Sequence, residues 1–251
     1  MSGDGSAWRT EISEVRPGSI RVRGYDLLEL IGGRPFGDVV FLLLAGELPE
    51  GNQGRMLDAI LVAAAEHSVL APSVDAARFV ASAGVPLQAA VAAGVAGLGD
   101  HHGGAVDAGA AMLLEAERDG ARAVVERTRD AGRRLPGYGH AIHDPDPRAA
   151  RLFQVAVDLG FDGRYVTLAR DVEAAAGEVL GRALPLNIDG AMAALLLELG
   201  LDPAIGKAFY VIARAPGFCA HVFEQQTQDR PYRDVGWRNV EYTGPEPRPL
   251  P

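Results

Sequence analysis

The sequence predicts an all-α protein, and three observations carry that prediction. Apolar residues recur at helical spacing along most of the 251 residues. The segments with this period end on glycine or proline, the residues that stop helices. Only residues 20–23, Ile-Arg-Val-Arg, alternate as a strand would, so at most a small hairpin is expected near the start.

The elements follow in order. Asp26 opens a short helix over 27–31, which Gly32-Gly33 and Pro35 stop. Asp38 is expected to cap a helix over 39–45, ended by Gly46 and Pro49. Residues 56–67 carry the next apolar period, and Ser73 is expected as the N-cap of a helix reaching about residue 83. Pro86 begins an alanine-rich helix that dissolves at 97–99, and two more helices are expected at 105–118 and 121–130. Residues 133–147 form the longest irregular stretch of the folded body, rich in Gly, Pro, His and Asp. Helices resume at 148–159, 165–180, 190–199 and 204–226. The ends, 1–9 and 244–251, collect Gly, Ser and Pro without period and are expected to be disordered. Small side chains let helix axes approach, so most Ala and Gly read as packing.

Composition narrows the function classes. The net charge is −9, from 24 basic and 33 acidic residues, and no basic run appears, so a nucleic-acid partner is not expected. Lys207, the only lysine, lies in an apolar helical pattern, which argues against a Schiff base. There is no GxxxxGK[ST] loop for nucleotide phosphates. Cys219 is the only cysteine, so an intrachain disulfide is impossible and a reducing compartment is expected. The start lacks a signal pattern, and the apolar run at 39–44 is too short to span a bilayer. The chain is expected in the cytoplasm, away from membranes.

Three loop segments concentrate reactive residues, and loops on a rigid scaffold commonly carry chemistry. Gly99-Asp100-His101-His102-Gly103-Gly104-Ala105 puts a histidine beside glycines at a helix start. There the dipole disfavours the charged form, leaving a neutral imidazole able to hydrogen-bond a forming enolate. Pro136-Gly137-Tyr138-Gly139-His140-Ala141-Ile142-His143-Asp144 leads into Asp146-Pro147-Arg148-Ala149. Pro147 suits a first helical turn, and Arg148 behind it could fork onto a carboxylate. A metal held by His140 and His143 lacks a convincing third ligand. Leu186-Asn187-Ile188-Asp189-Gly190 sets a carboxylate among apolar residues, where desolvation raises its pKa toward that of a useful base; alone it would read as a helix cap.

Together these segments resemble the citrate synthase family. That family carries a histidine before Gly-Gly-Ala, a Gly-x-Gly-His loop followed by Asp-Pro-Arg-Ala, and Asn-x-Asp at a helix start, in this order. Ile20-Arg21-Val22-Arg23-Gly24-Tyr25 and Leu42-Leu43-Leu44-Ala45-Gly46-Glu47-Leu48-Pro49 are similar to its opening, and Ala213-Arg214-Ala215-Pro216-Gly217 to a carboxylate-binding segment. The resemblance runs from about residue 10 to 235.

The resemblance implies a catalytic triad of His102, His140 and Asp189, with His67, Arg148, Arg214 and Arg230 holding substrate carboxylates. Arg230 would reach a neighbouring subunit's site, which makes a homodimer the expected assembly. Gly137 and Gly139 are expected against coenzyme A, which enters as a thioester substrate; no permanent cofactor and no metal are expected. The implied fold is a large helical domain (1–106 and 188–251) with a smaller one (107–187), the active site lying in the cleft. Two departures point within the family. Full citrate synthases are longer, mostly before His67, and Gly139-His140-Ala141-Ile142-His143 stands where they have Gly-His-Arg-Val-Tyr. Such chains, with Leu184-Pro185 before Leu186-Asn187-Ile188-Asp189, are most similar to citryl-CoA lyases. The expected reaction is cleavage of citryl-CoA to acetyl-CoA and oxaloacetate. The alternatives are condensation of those two, or of another acyl-CoA and 2-oxo acid, and a catalytically silent binding subunit.

Overall fold

The computed structural model describes residues 8–140 and 142–250. Among the described residues the architecture is all-α, with one small sheet at the start. Strands β1 (Ser13–Arg16), β2 (Ser19–Val22) and β3 (Tyr25–Asp26) pair antiparallel in sequence order, with Ser13 opposite Val22 and Arg21 opposite Asp26. The sheet exceeds the expected hairpin by one short strand. β1 is exposed along its length, so its sequence had no buried face to mark by alternation.

The helices are α1 (Leu27–Leu30), α2 (Phe36–Ala45), α3 (Gln53–Ala64), α4 (Pro72–Ser82), α5 (Leu87–Ala96), α6 (Ala105–Asp119), α7 (Ala121–Asp130), α8 (Pro147–Leu159), α9 (Arg164–Leu180), α10 (Ile188–Glu198) and α11 (Gly206–Thr227). Asp26 caps α1 as expected, its carboxylate accepting from Leu28 N. Two other expected caps fall inside their helices. α2 starts from Pro35, placing Asp38 in its first turn, and α4 starts at Pro72, placing Ser73 one residue in. In both, proline's fixed φ sets the start.

Packing divides the chain into two compact units, residues 1–66 with 98–214, and residues 67–97 with 215–251. The first is built around α10, whose residues Ala191–Leu196 are fully buried. Its sequence, Ile-Asp-Gly-Ala-Met-Ala-Ala-Leu-Leu-Leu-Glu, is apolar all round, the pattern of a helix with no solvent face. α6, α8 and α9 pack against it. In the second unit α4 and α5 pack together, and Arg78, nearly buried, bonds Glu224 at 2.9 Å and Asp229 at 2.5 Å. No helix among the described residues is long and apolar enough to cross a membrane.

Candidate active site

The buried helix α10 begins at a polar corner. Asn187 is its N-cap, and its side-chain oxygen accepts from the backbone N–H groups of Asp189 and Gly190. The same side chain donates to the Gly139 carbonyl at 2.6 Å, and Asn187 N donates to the Gly137 carbonyl at 3.0 Å. Asn187 thus ties the histidine loop to the helix start. A side chain at Gly137 would come within 2.6 Å of Gly190 Cα, and its φ of +86° is left-handed, so glycine is required there. Gly137 and Gly139, expected against coenzyme A, are used first to seat this loop.

Asp189 is the second residue past the cap. Its carboxylate accepts a hydrogen bond from the Tyr210 hydroxyl of α11. Burial pushes its pKa up; the Tyr210 bond and the charges of Arg148 and His140 pull down, Asp146 adds to the rise, and the net direction is up. Tyr210 is itself buried, and its phenol is held far above its ordinary value by burial and the adjoining carboxylate.

His140 sits in the loop that Asn187 anchors. Its Nδ1 accepts from the backbone N–H of Ile142 and of His143, each at 3.1 Å. Nε2 lies 3.3 Å from Arg148 Nη2, and the His143 ring stacks on its face at 4.7 Å. Burial lowers its pKa most; Arg148 and the neighbouring His143 add to this, against Asp146 and Asp189. Arg148 is placed by Asp146, the N-cap of α8. Burial drives the Asp146 carboxyl upward, but the Arg148 guanidinium and the N–H groups of Arg148 and Ile188 outweigh it and hold the pKa below the usual range.

His102 lies two residues before Gly104, the N-cap of α6. Reciprocal 2.8 Å backbone bonds with Gly99 fix its loop. Its pKa is lowered by burial first and then by Arg214. Arg214, on α11 and 2% exposed, donates from Nε to the Ala64 carbonyl at 2.8 Å. Its Nη1 is buried with no hydrogen-bond partner, and its guanidinium stands 5.6 Å from the centre of the Tyr210 ring. A buried donor left open costs free energy until an acceptor arrives, which suits this atom to an anion.

Within the first unit, then, five of the expected residues fall into one electrostatic neighbourhood: His102 with Arg214, Arg214 with Asp189, and Asp189 with Arg148 and His140. His67 and Arg230 belong to the second unit, His67 half-buried just past α3 and Arg230 exposed after α11. Ala141, where the family loop has its arginine, lies outside the described residues.

Sequence reasoning missed Tyr210 and Asp146. It also missed a cavity of about 600 Å³ beside His140 and Gly139, which Arg129, Arg133, Arg134 and Arg182 line together with Leu135 and Leu184. Four guanidinium groups around an apolar floor suit a long ligand bearing several phosphates. The signal for it was the cluster Arg129, Arg133 and Arg134 just before the glycine loop.

Fold and site define an all-α protein with two histidines and a carboxylate gathered around arginines. The family model for the citrate synthase C-terminal domain matches residues 51–234. The chain belongs to the citrate synthase family. It is 31% identical to a citrate/2-methylcitrate synthase of Bacillus subtilis over 213 residues, 81% of this chain and 55% of that protein. The chain spans about half the length of the curated relatives it matches. Citryl-CoA lyase from Hydrogenobacter thermophilus superposes with a TM-score of 0.92 at 40% identity, covering 97% of each chain. An ATP citrate lyase from Methanothrix soehngenii, solved with citrate and coenzyme A, shares the fold at a TM-score of 0.87 and 21% identity, covering 97% of this chain and 42% of that one.

Proposed function

We propose that this chain is an enzyme that cleaves citryl-CoA to acetyl-CoA and oxaloacetate. The observation that carries the reading is that His140 lines the arginine-rich cavity while Asn187 ties its loop to the helix start that bears Asp189. A coenzyme A tail in that cavity would lead its thioester toward the two histidines and the aspartate. Citryl-CoA lyase from Hydrogenobacter thermophilus, similar over 97% of both chains, supports the choice within the family.

The chemistry moves one proton from oxygen to carbon while one C–C bond breaks. The proton of the tertiary hydroxyl goes to His140 Nε2, the ring nitrogen that faces Arg148 and not the loop backbone. The oxygen's electrons form the oxaloacetate carbonyl, and the breaking bond's pair becomes the enolate of acetyl-CoA. His102, neutral because its pKa is depressed, hydrogen-bonds the enolate oxygen. Asp189, whose acid form burial favours, gives its proton to the enolate carbon. For Nε2 to accept, the neutral ring must carry its proton on Nδ1, so the two backbone N–H bonds to Nδ1 open as substrate binds. The imidazolium then formed returns its proton to Asp189 through solvent after the products leave. Arg214 Nη1 takes a substrate carboxylate and the edge of Arg148 not bonded to Asp146 a second.

The reverse condensation uses the same residues, and the synthase named among the relatives favours it as the second reading. A homodimer, residence in the cytoplasm, no permanent cofactor, and residues 107–187 as a small domain closing on the substrate belong to the same proposal. The test is to incubate the protein with citryl-CoA and follow acetyl-CoA and oxaloacetate together. Their appearance in equal amounts is expected; no change in citryl-CoA would reject the reading.

A further inference from the structure

Tyr210 touches more of the site than any residue given a role so far. It stands on α11 one helical turn before Arg214, and its ring lies beneath that guanidinium. Its hydroxyl donates to the Asp189 carboxylate. Its ring also closes on the loop of His102: a side chain on Gly103 would come within 3.3 Å of Tyr210 Cγ, at a backbone φ of +70°. One phenol therefore meets the carboxylate, the residue after His102 and the carboxylate-binding arginine. A tyrosine buried in an apolar helix needs a partner for its hydroxyl, and any backbone carbonyl would serve. Here the partner is the one carboxylate that must carry a proton.

We propose that Tyr210 is a positioning residue that fixes the Asp189 carboxylate on the enolate side of the site and sets the pH at which it exchanges its proton. The inference rests on the reading of Asp189 as the group that protonates the enolate carbon. An O–H donated to a carboxylate stabilises its ionised form, opposing the burial that favours the acid. Burial alone would trap the proton on Asp189, and the phenol restores the balance needed to release it. The other charged or titratable groups acting on Asp189 are Arg148 and His140, which favour ionisation, Asp146, which opposes it, and Arg214 from α11. Tyr210 acts by bonding to the carboxylate itself.

The substitution Tyr210→Phe removes the hydroxyl and keeps the ring against Gly103. Loss of one charge-assisted hydrogen bond raises the Asp189 pKa by about one unit. In the cleavage direction Asp189 must be protonated, so the alkaline limb of kcat moves to higher pH by the same amount. A purely structural tyrosine would lower activity at every pH and leave the limb in place. The direct readout is a carbon-13 NMR titration of the Asp189 carboxyl, assigned by its loss in Asp189→Asn. An upward shift in Tyr210→Phe supports the proposal, and an unchanged midpoint overturns it. Should Phe weaken folding, difluorotyrosine at position 210, a stronger donor of similar shape, must move the midpoint down. Because the titration needs no turnover, it decides this point even if citryl-CoA proves not to be the substrate.

Discussion

Asp146 and Arg148 are locked together by three hydrogen bonds. Asp146 Oδ1 accepts from Arg148 N and Nε, both at 3.0 Å, and Oδ2 accepts from Nη2 at 2.9 Å. Oδ2 also accepts from Ile188 N at 3.1 Å, at the first residue of α10. One carboxylate, 2% exposed as a residue, thus orients the arginine beside His140 and holds the start of the helix that carries Asp189. The fork's Nε edge is spent inside the protein on Asp146, so in the proposed reading it is Nη1 that meets the substrate carboxylate.

From this lock follows a contrast between two substitutions. Asp146→Ala leaves a partly buried guanidinium and the Ile188 N–H without their acceptor, and should cost about 3 kcal/mol in urea denaturation. Arg148→Lys cannot reproduce the bidentate pair and should raise KM for citryl-CoA about tenfold with a smaller change in kcat. An unchanged KM would move the carboxylate role elsewhere.

Asp189→Asn should slow turnover at least about a hundredfold, the usual scale for a general acid or base. It should also stabilise the fold, with a defined pH dependence. The folded pKa lies above the ordinary 3.8, so between those values the native state binds more protons than the unfolded chain, and stability falls as pH rises. Asparagine removes this loss. The urea midpoint of the variant should exceed wild type near neutral pH, with the gap closing as pH falls to about 3.8. A gap independent of pH would contradict a raised pKa.

His140 offers a direct check by nitrogen-15 NMR. With Nδ1 accepting from two backbone N–H groups, the neutral ring of the substrate-free protein should carry its proton on Nε2. A proton found on Nδ1 would mean that the loop holds the ring differently.

The arginine-lined cavity makes a separable prediction. Arg134→Ala and Arg182→Ala should each weaken coenzyme A binding several-fold, more at low salt than at high, as for partly exposed charges meeting phosphates. Calorimetry with coenzyme A reads this without turnover. Unchanged affinity in both variants would place the phosphates elsewhere.

Much of the fold could be read from local signals. Helix ends followed glycine and proline, and α6 and α7 begin where their sequence periods do. Asp38 and Ser73 misled because a proline just upstream starts the helix first. The candidate triad was legible because each member lies in a short segment with its own glycines or cap. Tyr210 was not: it sits in an apolar helical run, and its partner is 21 residues away in sequence. Asp146 read as part of a motif, but its bond to Ile188, 42 residues on, exists only in the folded chain. Long-range pairings of this kind leave no local period.

The direction of the reaction is the claim on which the rest depends. A synthase must hydrolyse the citryl thioester, which requires a water held in the closed site, whereas a lyase needs only the carbon–carbon step. The decisive measurement supplies citryl-CoA and compares the release of acetyl-CoA with the release of free citrate and coenzyme A. The expected result is acetyl-CoA and oxaloacetate formed far faster than free citrate. Efficient formation of free citrate and coenzyme A, from citryl-CoA or from acetyl-CoA with oxaloacetate, would contradict it and make the chain a synthase.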